Sequence, residues 1–433
     1  MPTLRTLTLG CRVNQYETEF LRQGLEEAGY RDAAEHEPAD LCVVNTCTVT
    51  HEGDAKSRQA IRRLAKDNPN ARLIVMGCYA TRAPEEVAAL PNVAEVVTDK
   101  RELPDLLQRF GVVDVPTGIA RFDARRRAYV KVQDGCLLSC TFCIIPTVRP
   151  HLRSRPPEDI IDEVRRLAAG GHREVVLTGI HLGHYGLERN AGRPKSEWLR
   201  LSHLVRRLAA LDADVRLRLS SIEAVEVTRE LLDALAENPR RVCPHLHVSM
   251  QSGSESVLRR MRRRWGAKRF VDRCRLVRRA LERPALTTDV IVGFPGETEA
   301  EFAETLAVCE ELEFSRIHVF PFSPRRGTPA AAMPHQVPHE VKRERVERLS
   351  QLADLLRDRY YASLGGSTLR VIVEGVCDDR PDRVLGTACR YATVDLPRHL
   401  ADGRTLERGM VVDVVAGEVL NGHIVGRAIG PGP

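Results

Sequence analysis

Cys136, Cys140 and Cys143 stand within eight residues of one another in the segment GCLLSCTFC. Their CxxxCxxC spacing falls on a loop just after an expected strand, where thiols can converge on a metal. Zinc is usually held by four ligands, often in CxxC pairs, and no partner pair follows. A 4Fe–4S cluster on three cysteines leaves one iron open to a small chelating ligand, and the reduced cluster can pass that ligand an electron. Incidental buried thiols would meet this spacing only by chance.

A second set, Cys11, Cys47 and Cys78, spans sixty-eight residues and has no local spacing motif. Each nonetheless follows an apolar run that reads as a strand: TLTLG before Cys11, VVNT before Cys47 and LIVMG before Cys78. In a parallel sheet those three loops open at one edge. Convergence on a metal and chance placement are both compatible with that pattern. Cys42 begins its apolar run and reads as core. Cys243, Cys274, Cys309, Cys377 and Cys389 are isolated and read as structural.

These residues need elements to position them. With 433 residues, 43% of them hydrophobic, the chain is long enough for two or three domains and too apolar for disorder. Strand and helix alternate through the first hundred residues: strands at 4–9, 41–44 and 72–76, helices at 17–29, 55–66, 84–89 and 102–109. That alternation predicts a parallel sheet. Residues 111–127 read as a linker. Six further strands are expected at 129–132, 174–177, 215–219, 245–249, 288–292 and 317–320. Helical stretches separate them, which suits a partial, open (βα)6 barrel or a doubly wound sheet. A charged helix over 338–361 follows. The remainder (369–374, 383–396, 410–416, 423–428) reads as short strands of a small β-barrel.

No apolar run reaches bilayer length, and MPTLRTLTLG lacks an apolar stretch before a small-residue cleavage site. A soluble cytoplasmic protein is expected, and there twelve cysteines would not form a disulfide scaffold. The net charge of +6 gives a mild lean toward nucleic acid.

The triplet, with Phe142 before its third cysteine, resembles the signature of radical S-adenosylmethionine (SAM) enzymes. The resemblance extends over the chain: GCRVNQYETE, VNTCTVT, VMGCYA, VVLTGIHLGHYG, SMQSGS and IVGFPGET are similar to segments of the methylthiotransferases within that group. The TLGCRVNQYE opening is most similar to the branch acting on N6-threonylcarbamoyladenosine in transfer RNA. The resemblance implies an N-terminal cluster domain (1–115), a radical SAM domain (125–362) and a C-terminal RNA-binding TRAM barrel (366–433). It implies one 4Fe–4S cluster on Cys136, Cys140 and Cys143 and a second on Cys11, Cys47 and Cys78. SAM would be held at strand ends by Gly179, Ser220, Ser221, Glu223, Gln251, Asp289, Gly293 and Gly296, where ligands gather in such folds.

The expected reaction uses one SAM to methylate sulfur at the auxiliary cluster. A second SAM yields a deoxyadenosyl radical that abstracts hydrogen from C2 of the adenosine. The implied partners are the anticodon loop of transfer RNA and an electron donor such as a flavodoxin or ferredoxin. Arg370, Arg380, Arg383 and Arg390 are the expected RNA contacts, with the runs at 259–264 and 125–127 as further basic candidates. His181, His184, His245 and His247 read as structural or substrate-contacting. Alternatives on the same scaffold are isopentenyladenosine or a ribosomal-protein aspartate as substrate, or an RNA-binding iron–sulfur protein without catalysis. One departure stands out: Pro150 follows Arg149 where the family commonly has an Arg-Gly step.

Overall fold

The structure is a computed structural model that describes residues 1–122 and 127–429. Arg125 and Arg126 of the basic run, the expected start of the central unit at 125 and the last four residues of the chain lie outside these. The first sheet is parallel, with strand order β2-β1-β3-β4-β5: β1 (Thr3–Thr8), β2 (Arg31–Asp32), β3 (Leu41–Thr46), β4 (Arg72–Gly77) and β5 (Val93–Val96). β3 is buried along its length and β4 from Leu73 onward, and both are mainly apolar, as strands covered on both faces must be. Helix α1 (Arg12–Glu27) starts five residues before the expected position, with Cys11 as its N-cap. The Asn14 amide explains the early start, because it donates to the carbonyls of Leu9 (2.9 Å) and Thr46 (3.0 Å) and pins the first turn to the sheet edge.

All six expected central strands are present: β6 (Arg127–Asp134), β8 (Glu174–Gly179), β9 (Arg216–Leu219), β11 (His245–Val248), β12 (Ala285–Val292) and β13 (Arg316–Pro321). Two short strands, β7 (Arg153–Ser154) and β10 (Ser221–Ile222), supplement them. They form two sheets, β7-β6-β8-β9 and β10-β11-β12-β13. The sheets meet where Leu217 exchanges backbone hydrogen bonds with Arg241 and Cys243. The result is an open arc of βα units, and α1 packs against β6 at its first edge. Tyr16 of α1 joins the central core and donates to Glu163 across the seam (3.0 Å).

The last strands, β14 (Thr368–Val376), β15 (Arg383–Ala388), β16 (Thr393–Pro397), β17 (Val411–Leu420) and β18 (His423–Ala428), close into a barrel. The run 383–396, expected as one strand, is two. A turn at 389–392 breaks it, with Tyr391 at φ 60°. That turn is the docking point on the central arc. Buried Glu174 pairs with Arg127, Arg216 and Arg218. Arg216 then donates to the carbonyls of Arg370 and Thr387, and Arg218 to those of Ala388 and Cys389. Among the described residues no helix is long and apolar enough to cross a membrane.

Candidate active site

The CxxxCxxC loop leaves β6 through Gly135 at φ 83°, a conformation that favours glycine; an added Cβ would lie 2.0 Å from the His151 carbonyl oxygen. Cys136 and Cys140 are buried and Cys143 half-buried. Together they line a cavity of about 230 Å³ with Ser221, Glu223 and Gln251. Two polar side chains face the sulfurs. His181 Nδ1 lies 3.7 Å from Cys136 Sγ, while its Nε2 lies 3.0 Å from Glu226. Arg263 Nη1 lies 3.3 Å from Cys140 Sγ and pairs with Glu223, which also accepts from the Trp265 indole (3.2 Å). Burial raises the Cys140 thiol despite Arg263 and pushes Cys143 up to about 12. Buried thiols of this kind favour the protonated form, and a bound cation takes the proton's place and relieves that cost. Three converging thiols with a cationic donor therefore fit an iron–sulfur cluster, and the adjoining cavity fits a small chelating ligand.

The strand-end residues distribute unevenly. Ser221, Glu223 and Gln251 line the cavity. Ser220 lies behind it with its buried hydroxyl unpartnered. Gly179 lets the strand pass Gln133, 3.0 Å from an added Cβ, and Gln133 in turn accepts from the His181 N–H (2.8 Å). Gly293 makes room for Lys342 of helix His339–Ser363, 2.2 Å from an added Cβ. Gly296 has open space around it. Asp289 sits on the inner face of β12 against His247 (3.2 Å).

The scattered trio shares one edge of the first sheet. Cys11 caps α1, Cys47 follows β3, and Cys78 opens the helix Cys78–Arg82 after β4. All three therefore stand at the C-terminal edge of the first sheet. Gly10, at φ 96°, allows the approach: an added Cβ would be 3.0 Å from Cys47 Sγ. Burial raises the Cys47 thiol, and the charges of Cys78 and Cys11 add to that rise.

Two cations face this trio. Arg149 Nε lies 3.5 Å from Cys78 Sγ. Lys100 donates to the Gly77 carbonyl (3.1 Å), and its ammonium is lowered by burial and then by Arg149. Such a pocket suits thiols that ionise on binding metal, so the residues fit a second cluster.

Arg149 is the residue that sequence reasoning missed, although Pro150 marked its place. Pro150 stops the helix Ile145–Val148, as the residue before proline is pushed out of the helical region. The buried guanidinium reaches Glu17 (2.7 and 2.8 Å), Asp134 (2.9 Å) and Asn14 (3.0 Å). Its own carbonyl accepts the Cys136 N–H at 3.2 Å. One side chain and its backbone thus tie the two cysteine trios together.

The basic residues expected to hold RNA are largely engaged within the protein. Arg370 pairs with Asp214, and Arg390 donates to the carbonyls of Glu282 and Arg283. Arg380 and Arg383 both clamp Asp395. Within the run 259–264, Arg260 pairs with Glu301 and Arg263 belongs to the cysteine cavity. Arg127 pairs with Glu174 and Glu374.

The profile of the radical SAM superfamily matches residues 130–309, and that of the uncharacterised protein family UPF0004 matches residues 3–99. The threonylcarbamoyladenosine tRNA methylthiotransferase MtaB of Bacillus subtilis is 42% identical, over 86% of this chain and 85% of that protein. Its namesake in Thermotoga maritima is 38% identical, over 86% and 87%. The tRNA-2-methylthio-N6-dimethylallyladenosine synthase of Thermobifida fusca is 36% identical, over 98% and 88%. Among solved structures, the radical SAM methyltransferase TsrM of Kitasatospora setae shares the fold, with a TM-score of 0.55 at 14% identity over 76% of this chain and 75% of that one.

Proposed function

Because this chain belongs to the radical SAM methylthiotransferase family, we propose that it methylthiolates C2 of N6-threonylcarbamoyladenosine in the anticodon loop of transfer RNA. The relatives of 42% and 38% identity that carry this activity in their names support that substrate. The single observation that carries the reading is the bridge at Arg149, which holds two cysteine trios against one another. A radical enzyme needs one trio; sulfur insertion needs both.

In this reading residues 1–115 carry the auxiliary cluster on Cys11, Cys47 and Cys78. Residues 125–362 carry the radical cluster on Cys136, Cys140 and Cys143, and residues 366–433 form the RNA-binding barrel. The two 4Fe–4S clusters, with SAM, supply the radical and the methylthio sulfur when bound. The protein's own side chains supply position and polarity. Ser221, Glu223 and Gln251 orient SAM in the cavity beside the triplet, with Gly179, Ser220 and Gly293 shaping the strand ends around it and Asp289 deeper in β12. His181, oriented by Glu226, and Arg263, oriented by Glu223, direct N–H groups toward the sulfurs of Cys136 and Cys140, where such contacts tune a cluster's potential. Held geometry of this kind converts encounter into reaction. The electron donor is a flavodoxin or ferredoxin, and the compartment is the cytoplasm.

Nucleoside mass spectrometry on a deletion strain tests the substrate. The expected result is loss of the 2-methylthio form with accumulation of threonylcarbamoyladenosine. Accumulation of isopentenyladenosine, or a change confined to a ribosomal peptide, would refute it. Anaerobic reconstitution with SAM and dithionite tests the chemistry: without 5′-deoxyadenosine formation, the chain would be an iron–sulfur RNA-binding protein only.

A further inference from the structure

A second polar cluster lies on the inner face of the arc, further toward the strands' N-terminal ends than the cysteine cavity. His247 of β11, Asp289 of β12 and His318 of β13 stand on adjacent strands, with Asp289 opposite His318 in register. Their ligand atoms all lie within 4.8 Å of one another. Asp289 sits in a strand paired on both edges, yet its side chain keeps 29% of its exposure. A side chain so placed faces an open lumen. The Tyr391 turn of the C-terminal barrel lies at the far end of that lumen, its ring 4.9 Å from that of His245.

Into this space reaches Arg12, the residue after Cys11. Its guanidinium donates to the Tyr391 hydroxyl (3.3 Å) and lies 5.8 Å from the Tyr129 ring centroid. Its charge acts on Asp289, His245 and His318. Among the described residues it makes no ion pair. The other arginines drawn into this interior all have carboxylate partners: Arg149 with Glu17, Arg216 and Arg218 with Glu174, Arg263 with Glu223. Asp289 already lies beside His247, with Nε2 3.2 Å from its carboxylate. A half-buried guanidinium with unused donors is complementary to a carboxylate.

The two nucleosides named for the relatives differ in that group. A threonylcarbamoyl side chain carries a carboxylate and a hydroxyl, whereas a dimethylallyl side chain is hydrocarbon. The hydrocarbon would strip water from Arg12, Asp289 and His318 and return no hydrogen bond. We propose that Arg12 is the specificity-determining residue, binding the carboxylate of the threonylcarbamoyl side chain inside this lumen. The inference rests on the tRNA methylthiotransferase reading and deepens it.

The test uses three synthetic anticodon stem-loops: one with threonylcarbamoyladenosine, one with its methyl ester, and one with isopentenyladenosine. Each is measured by fluorescence anisotropy and by steady-state turnover, against reconstituted wild-type protein, Arg12→Gln and Arg12→Lys. Wild type should prefer the acid to the ester by roughly 10- to 150-fold, the span of a charged hydrogen bond. Arg12→Gln should bind acid and ester alike, with the loss in KM rather than kcat. Arg12→Lys should keep most of the preference. Iron content separates this effect from damage at the neighbouring Cys11. Equal binding of acid and ester by wild type overturns the proposal without recourse to any variant, as does an Arg12→Gln protein that still discriminates. Wild type that makes no methylthio product from any loop would instead remove the methylthiotransferase reading.

Discussion

Replacing Arg149 by Met keeps most of the side chain's bulk and removes its charge. In the native protein Glu17 is buried, which alone would raise its carboxyl. Arg149 and then Lys131 overcome that and bring it down to about 2. Asp134 is held low by the same two cations against the same burial. Moving Glu17 from 4.5 to about 2 corresponds to about 3 kcal/mol of folding stability. Removing one partner of a buried pair costs roughly 3–5 kcal/mol, so the two routes agree. Both carboxylates are depressed in the folded state. Their contribution is therefore present above the ordinary carboxylate range and is lost as pH falls from about 4.5 toward 2. Urea unfolding of the cluster-free protein, followed by circular dichroism across pH, reads this directly. Arg149→Met should be less stable by about 3–5 kcal/mol at pH 7, with the gap to wild type narrowing below pH 4. A gap of the same size at pH 7 and pH 3 would show that the loss is one of packing, and the electrostatic account of Arg149 would fail.

Triple alanine replacement of Cys11, Cys47 and Cys78, or of Cys136, Cys140 and Cys143, should each leave about four of eight irons by colorimetric assay. Only the former should retain SAM cleavage. Gly135→Ala meets the His151 carbonyl at 2.0 Å and forces a side chain into φ 83°; the conformation alone costs about 1–3 kcal/mol. Because that strain falls beside Cys136, reconstituted iron should drop at the triplet and remain at the other trio. Glu174→Gln leaves Arg127, Arg216 and Arg218 without their shared anion, a loss of roughly 3–5 kcal/mol. Limited proteolysis should then cut more readily between the central unit and the C-terminal barrel.

The local patterns carried far. The triplet, the strand–helix alternation and the small barrel are legible because a loop of three cysteines and an apolar run of five or six residues are short-range facts. Position along the apolar run likewise separated Cys42, which lies within its strand, from Cys47, which follows it. The partners of the arginines were not legible, for the opposite reason. Charge counts report how many cations a chain has and not which of them meet an anion, and Arg370, Arg380, Arg383 and Arg390 are occupied by contacts from 12 to 156 residues away.

What the sequence determined by itself was which thiols could act and on which strands they would sit. What only the tertiary structure decided was that cysteines sixty-seven residues apart share one sheet edge, that Arg149 ties them to the triplet, and that Arg12 enters the lumen unpaired. Parallel pairing brings every second loop to the same edge whatever the chain between. Which long side chain then fills the seam depends on packing between units, and no periodicity in the chain records that.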